Sequence, residues 1–232
     1  MNSAAANSKA ASPGMADVRG IALGYEPAAG EGRLWIPVGG SHRIVANHAH
    51  TTRLLDAVLE VRPERRARKP RPRSAEVTPD RRARLVLLGA EVGALSFAER
   101  TALRTRIAFL STEGGLISHL NGWENIVLPL GFHHPERLHS IAGRVHDLLA
   151  ELGTESRPLL AKIPDEMTLY EKKAAGCVRI LLEAPELVLA EDLTGGLEAF
   201  NERGRAATGF AAAYHAACAG GTFIQLEYAP ET

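Results

Sequence analysis

The sequence predicts an α/β protein with a mainly parallel sheet flanked by helices and a small antiparallel β part near its N-terminus. Three observations lead there. Short apolar runs alternate with segments whose apolar residues recur at three- and four-residue spacing, the pattern of parallel strands joined by crossover helices. Hydrophobic residues make up 45% of the 232 residues, aromatics 5% and charged residues 23%, enough to fill the core of one large or two small domains. No apolar run comes near the roughly 20 residues of a membrane-spanning helix.

Each element has its own reason. The first sixteen residues, MNSAAANSKAASPGMA, lack the apolar stretch of about 7–15 residues that a signal peptide carries. They read as a disordered tail before a domain spanning 17–232. Strand candidates follow at VRGIALGY (18–25), RLWIPV (33–38) and HRIVA (42–46), all rich in β-branched or aromatic residues. The turn NHAH leads to TTRLLDAVLEV (51–61), where Leu54, Leu55, Val58 and Leu59 share one helical face. RLVLLGA (84–90) is a strand. Ser96 and Glu99 form a capping box opening the helix SFAERTALRTR, and RIAFL (106–110) returns as a buried strand.

After a loop, LISHLNGWENIVLPL (116–130) runs into the helix PERLHSIAGRVHDLLAELG. Its Leu138, Ile141, Val145, Leu148, Leu149 and Leu152 make one stripe, ended by Gly153. MTLYEKKAAGCVRILLEA (167–184) is a helix, ELVLA (186–190) a strand, EAFNERGRAATGFAAAYHAACAG (198–220) a long helix, and TFIQLEY (222–228) the last strand. A helix-rich subdomain is expected over about 112–170. Residues 107–110, 187–190 and 222–226 are expected in one parallel sheet.

The net formal charge of +0 conceals an asymmetry: residues 1–106 carry 18 Lys and Arg against 10 Asp and Glu, the remainder 9 against 17. Most of the basic excess lies in VRPERRARKPRPRSAEVTPDRRAR (61–84), a segment that raises nucleic-acid or anionic-membrane binding. Its prolines forbid a continuous helix and no aromatic is interleaved for base stacking, so it reads as a solvated loop and no nucleic-acid partner is expected. Cys177 and Cys218 sit in Ala-rich helical stretches as small hydrophobes, without the spacing of a zinc site. Neither His133 with His134 nor His48 with His50 makes a metal site, because no cysteine is near and the close carboxylate, Glu136, follows a proline.

The stretch RILLEAPELVLAEDLTGGLE (179–198) resembles the Walker B and D-loop region of ABC-transporter nucleotide-binding (ATPase) subunits, where the pattern is LLLLDEPTSGLD. RIAFLSTEGGLISHLNGWENIVLPL (106–130) resembles their Q-loop and the start of their helical subdomain, above all in subunits serving MCE-type lipid transport. EKKAAGCVRILLEAPEL (171–187) resembles the helix after their signature motif. Tyr25 falls where such subunits place an adenine-stacking aromatic. The resemblance covers about 17–228, strongest over 104–198, and implies a P-loop NTPase-like fold.

The catalytic motifs depart from that pattern. Where it has the phosphate loop GxxGxGK[ST]T, this chain has IVANHAHTT. Glycines let backbone amides wrap phosphate and the lysine places a fixed charge on it. Here His50 stands at the lysine's place, with Thr51 and Thr52 after it, and Thr51 serves either a magnesium ion or, more in keeping with a helix start, as the cap. Thr112 replaces the Q-loop glutamine and MTLYE (167–171) the signature LSGGQ, Leu169 and Tyr170 placing bulk where phosphate would sit. Gln225, Glu227 and Tyr228 stand around the switch histidine's place. The two acids are exchanged: Glu191 occupies the magnesium-associated Asp position, Asp192 the water-orienting Glu position. A shift of about 1 Å in such a group slows catalysis on the order of 10²-fold.

The resemblance therefore implies a degenerate cassette subunit, a pseudo-ATPase in a structural or coupling role. It would lie on the cytoplasmic face of the cell membrane with a transmembrane permease, paired with itself or with an intact ATPase subunit. ATP and magnesium are the cofactors it implies, bound weakly at best through Tyr25, His50, Thr51, Thr52 and Thr112. An active ATPase with a divergent site and a soluble regulatory or nucleic-acid-associated module are the alternatives.

Overall fold

The computed structural model describes residues 18–27, 33–59 and 83–229. The N-terminal tail and nearly all of the Arg-rich segment lie outside them. The chain divides into two compact units, Met1–Val38 with Thr52–Arg100, and Gly39–Thr51 with Thr101–Thr232.

The first unit holds an antiparallel sheet of order β2-β1-β4-β5, from β1 (Ile21–Glu26), β2 (Leu34–Pro37), β4 (Arg84–Leu87) and β5 (Ala90–Glu91). Leu23 and Ala22 of β1 and Val86 and Leu87 of β4 are fully buried. The turn Leu88–Gly89 lets β4 fold back, with Leu88 N donating to Ala22 O at 2.9 Å.

The second unit is built on the parallel sheet β3-β8-β7-β6, from β3 (Gly40–Ala46), β6 (Ile107–Leu110), β7 (Leu187–Glu191) and β8 (Thr222–Tyr228). The expectation of one parallel sheet holds: Ile107 pairs with Leu187, and Leu187 with Thr222. A two-pronged Arg106–Glu186 ion pair (2.6 and 2.7 Å) ties the starts of β6 and β7. The almost wholly apolar LVLAE of β7 is the signature of a strand covered on both faces.

Helices α3 (Gly122–His133), α4 (Ile141–Glu151) and α5 (Ser156–Ala161) lie between β6 and α6 (Leu169–Glu183) in sequence. Leu148 and Leu149 of α4, Ala174 and Val178 of α6, Phe210 and Tyr214 from the last helical region and Val188 of β7 form one buried cluster. Asn121 caps α3 in a capping box with Glu124. Asn125 is fully buried; its amide donates to the Ile117, Leu120 and Asn121 carbonyls and accepts from Ile117 N at 2.7 Å, so it shapes the segment before α3. Backbone meets backbone where the loop after β6 crosses α6. A Cβ at Gly176 would stand 2.4 Å from Gly114 O, and one at Gly114, whose φ is +78°, 2.2 Å from Lys172 O, so both positions require glycine.

Several element boundaries differ from those predicted. Helix α1 runs His48–Leu59, three residues earlier than expected. The helix expected over 135–153 is a short 3₁₀ turn at Pro135–Arg137 followed by α4, because Ser140 N turns back to Arg137 O (3.2 Å). The helix expected over 198–220 is interrupted. It runs as α7 (Phe200–Gly204), a π-helical stretch Arg205–Gly209 and α8 (Phe210–Ala217). Within the π stretch Thr208 donates to Gly204 O (2.7 Å), and Arg205 reaches Gly153 O (2.9 Å).

Candidate functional site

In an open α/β sheet, ligands are received outside the carboxyl ends of the strands. In the second unit those ends carry Ala46, Leu110, Glu191 and Tyr228. One residue, Asn47, separates β3 from α1. Its Oδ1 accepts from His50 N (2.9 Å) and lies 2.8 Å from His50 Nδ1, while its carbonyl accepts from Thr51 N (3.1 Å). Asn47 is thus the N-cap of α1. The structure corrects the reading of Thr51 as the cap: it lies in the helix, 3% exposed.

Glu191 ends β7 with both carboxylate oxygens engaged. Tyr228, at the end of β8, donates its hydroxyl to Oε1, and Thr112 donates its backbone N–H to Oε2 at 3.4 Å. Thr112 therefore reaches this site by its main chain. His48, in the first turn of α1, lays its ring 5.0 Å from the Tyr228 ring. Burial, with the hydrogen bond to the Glu191 carboxylate and its charge, raises the Tyr228 phenol above its ordinary value.

Asp192 follows in a turn of its own. Its φ of +43° starts a tight turn whose N–H is taken by Leu226 O (2.7 Å) and whose carbonyl accepts from Gly195 N (3.1 Å). Its carboxylate lies so close over Gly195 that a Cβ there would stand 1.7 Å from Oδ2.

Beneath the turn lies a residue that sequence reasoning missed. Lys173 is 0% exposed, and its three ammonium protons go to Asp192 O (2.8 Å), Leu193 O (3.0 Å) and Gly195 O (2.9 Å). That set satisfies the ammonium completely. Burial lowers its pKa, opposed by the Asp192 and Glu191 charges. The available signal was a lysine inside the helical stripe Tyr170, Ala174, Cys177, Val178 and Leu181.

At the start of α6, Thr168 and Glu171 form a capping box, Thr168 Oγ1 accepting from Glu171 N (3.2 Å). Tyr170 does not occupy the place of a phosphate, as the sequence suggested. It is 4% exposed, donates to Leu152 O (2.6 Å) and stacks against Phe210. Leu169 lies over Gly196. In the first unit, Tyr25 is also a core residue at 4% exposure, next to the last residue of β1, and that burial leaves no open ring face for a base. Thr52 is half-buried there. Among the described residues no group of three or more His, Cys, Asp or Glu could hold a metal ion.

No family model matches the chain. In structure it is similar to cbiO1 of Clostridium perfringens, part of the ABC transporter complex cbiONQ, with a TM-score of 0.61 at 15% identity over 90% of this chain and 79% of that one. The ATP-binding cassette MJ0796, solved as a post-hydrolysis dimer with ADP and Pi, superimposes with a TM-score of 0.58 at 17% identity over 88% of this chain and 87% of its own. The chain has the ABC ATPase fold. In sequence this ABC-ATPase-like chain is 32% identical over 113 residues to the lipoprotein-releasing system ATP-binding protein LolD of Zymomonas mobilis, covering 48% of this chain and 47% of that protein. The methionine import ATP-binding protein MetN of Cereibacter sphaeroides is 28% identical over 116 residues, 50% of this chain and 32% of its own. The chain spans about half the length of the LolD relatives it matches.

Proposed function

We propose that the chain is a degenerate ATP-binding-cassette subunit of a membrane transporter, structural or coupling in role, which does not itself hydrolyse ATP. The junction of β3 and α1 carries this reading. A phosphate loop sets several glycine-spaced residues between strand and helix, so that free amides and a lysine face the phosphates. Here Asn47 alone makes the connection and its side chain already takes an amide of the first helical turn. The acids at β7 agree with it, Glu191 being held by Tyr228 and Thr112 while Asp192 is folded over its own turn. These residues do not fit a magnesium-bound nucleotide.

The transporter role draws its support from the ABC ATPase fold, from the segment 106–130, and from the similarity to ATP-binding proteins of a lipoprotein-releasing and a methionine import system. Of these, the lipid-handling kind is the reading we favour. A transmembrane permease is the partner it calls for, with a second cassette subunit, identical or intact, at the cytoplasmic face of the membrane. Among the described residues no helix is long and apolar enough to cross a membrane.

Calorimetry with Mg-ATP at neutral pH is expected to give a dissociation constant weaker than about 1 mM, a binding free energy no better than about −4 kcal/mol. Low-micromolar binding, or Mg-dependent phosphate release abolished by Glu191→Gln or Asp192→Asn, would refute the pseudo-ATPase reading.

A further inference from the structure

Tyr228 closes the ligand end of the sheet from within. It is the last residue of β8, the strand between β3 and β7, and so stands between Asn47 and Glu191. Its hydroxyl crosses to the β7 carboxylate while its ring meets His48 of the first α1 turn. The next residue holds the strand end down, Ala229 N donating to Ala46 O at 2.9 Å. With Thr112 N on the other oxygen, each oxygen of Glu191 has a partner from this chain. Each carboxylate oxygen can accept twice, so the phenol takes one of the two places on Oε1, and a donor or cation in that place must displace it.

We propose that Tyr228 is an intramolecular plug: the phenol of the chain's own last strand occupies the seat at Glu191 that a bound ligand's cation or water would take. This rests on the reading of the chain as a degenerate cassette subunit, and adds that the site is filled as well as stripped of its phosphate-binding groups. It places the block in one hydroxyl and one ring, so a single substitution opens it.

Carboxyl footprinting of the full chain tests this, with a water-soluble carbodiimide and glycine ethyl ester near neutral pH and peptide mass spectrometry as the readout. The exposed Glu113 and Glu136 serve as internal references. In the wild type, Glu191 is expected to label more slowly than either. Tyr228→Phe, which removes only the hydroxyl, is expected to raise Glu191 labelling about ten-fold, the change that loss of a hydrogen bond to a charged group produces. Tyr228→Ala is expected to raise it at least as far.

Labelling of wild-type Glu191 as fast as the references, or an unchanged rate in both variants, overturns the plug. Should Tyr228→Ala unfold, shown by all carboxylates rising together, Tyr228→Phe decides. The two readings fail distinguishably. Fast labelling of Glu191 in a wild type without ATP turnover would overturn the plug and leave the pseudo-ATPase assignment standing, whereas ATP turnover with Glu191 protected would sink both.

Discussion

Lys173 shows how a single side chain can set a loop. A buried ammonium is costly unless every proton finds an acceptor, and here three carbonyls of the turn 192–195 supply them. The turn in turn determines where the Asp192 carboxylate lies. Lys173→Met keeps the length and apolar contacts of the stem but strands those carbonyls. It is expected to destabilise the protein by at least about 2 kcal/mol, since one unsatisfied buried group alone costs about 1–3 kcal/mol. A lower urea midpoint at unchanged slope would register it, and an unaltered midpoint would show that the carbonyls find other partners.

Helix ends carry the corresponding argument for elements. Thr168 and Glu171 close α6 at its N-terminus, and Lys162 Nζ sits 2.6 Å from Glu171 Oε1. Thr168→Ala is expected to cost about 1 kcal/mol, as N-cap losses do, read from the thermal midpoint. Burial works against the Glu171 carboxylate, but the hydrogen bonds from Lys162 and Thr168 outweigh it and hold its pKa below the ordinary 4.5. A depressed acid contributes stability above its unfolded value and loses it as pH falls through the folded one. Wild type should therefore exceed Glu171→Gln in stability at pH 7, and the gap should close as pH falls below about 4.5. A gap that is constant with pH would mean that Glu171 acts through packing alone.

For the whole molecule, the arrangement of the sheet ends determines what an exchange of the two acids can achieve. Exchanging the acids, Glu191→Asp with Asp192→Glu, is expected to create no ATPase activity, measured as phosphate release at saturating Mg-ATP. A water-orienting carboxylate does nothing without a γ-phosphate held in line. One residue between β3 and α1 leaves no loop to hold it. Turnover by this double variant would show that the phosphate site assembles in spite of that junction.

What the sequence determined by itself was the sheet and its order of elements. Alternating periods of two and 3.6, with the apolar run LVLA (187–190), are local signals that any fold must honour. Thus 107–110, 187–190 and 222–226 could be assigned to one parallel sheet. That IVANHAHTT (44–52) holds neither glycine nor lysine was equally legible, being a matter of residue identity. The contacts that close the site were not. Tyr228 meets Glu191 across 37 positions of chain, and Lys173 meets Gly195 across 22. No periodicity encodes such encounters, because they arise only once β7, β8 and α6 are packed. Tyr170 points inward for a similar reason: Leu152 O and Phe210 await it there, from segments far along the chain. Local pattern chooses elements, whereas the partner of a polar side chain is chosen by whatever tertiary packing places within about 3 Å of it.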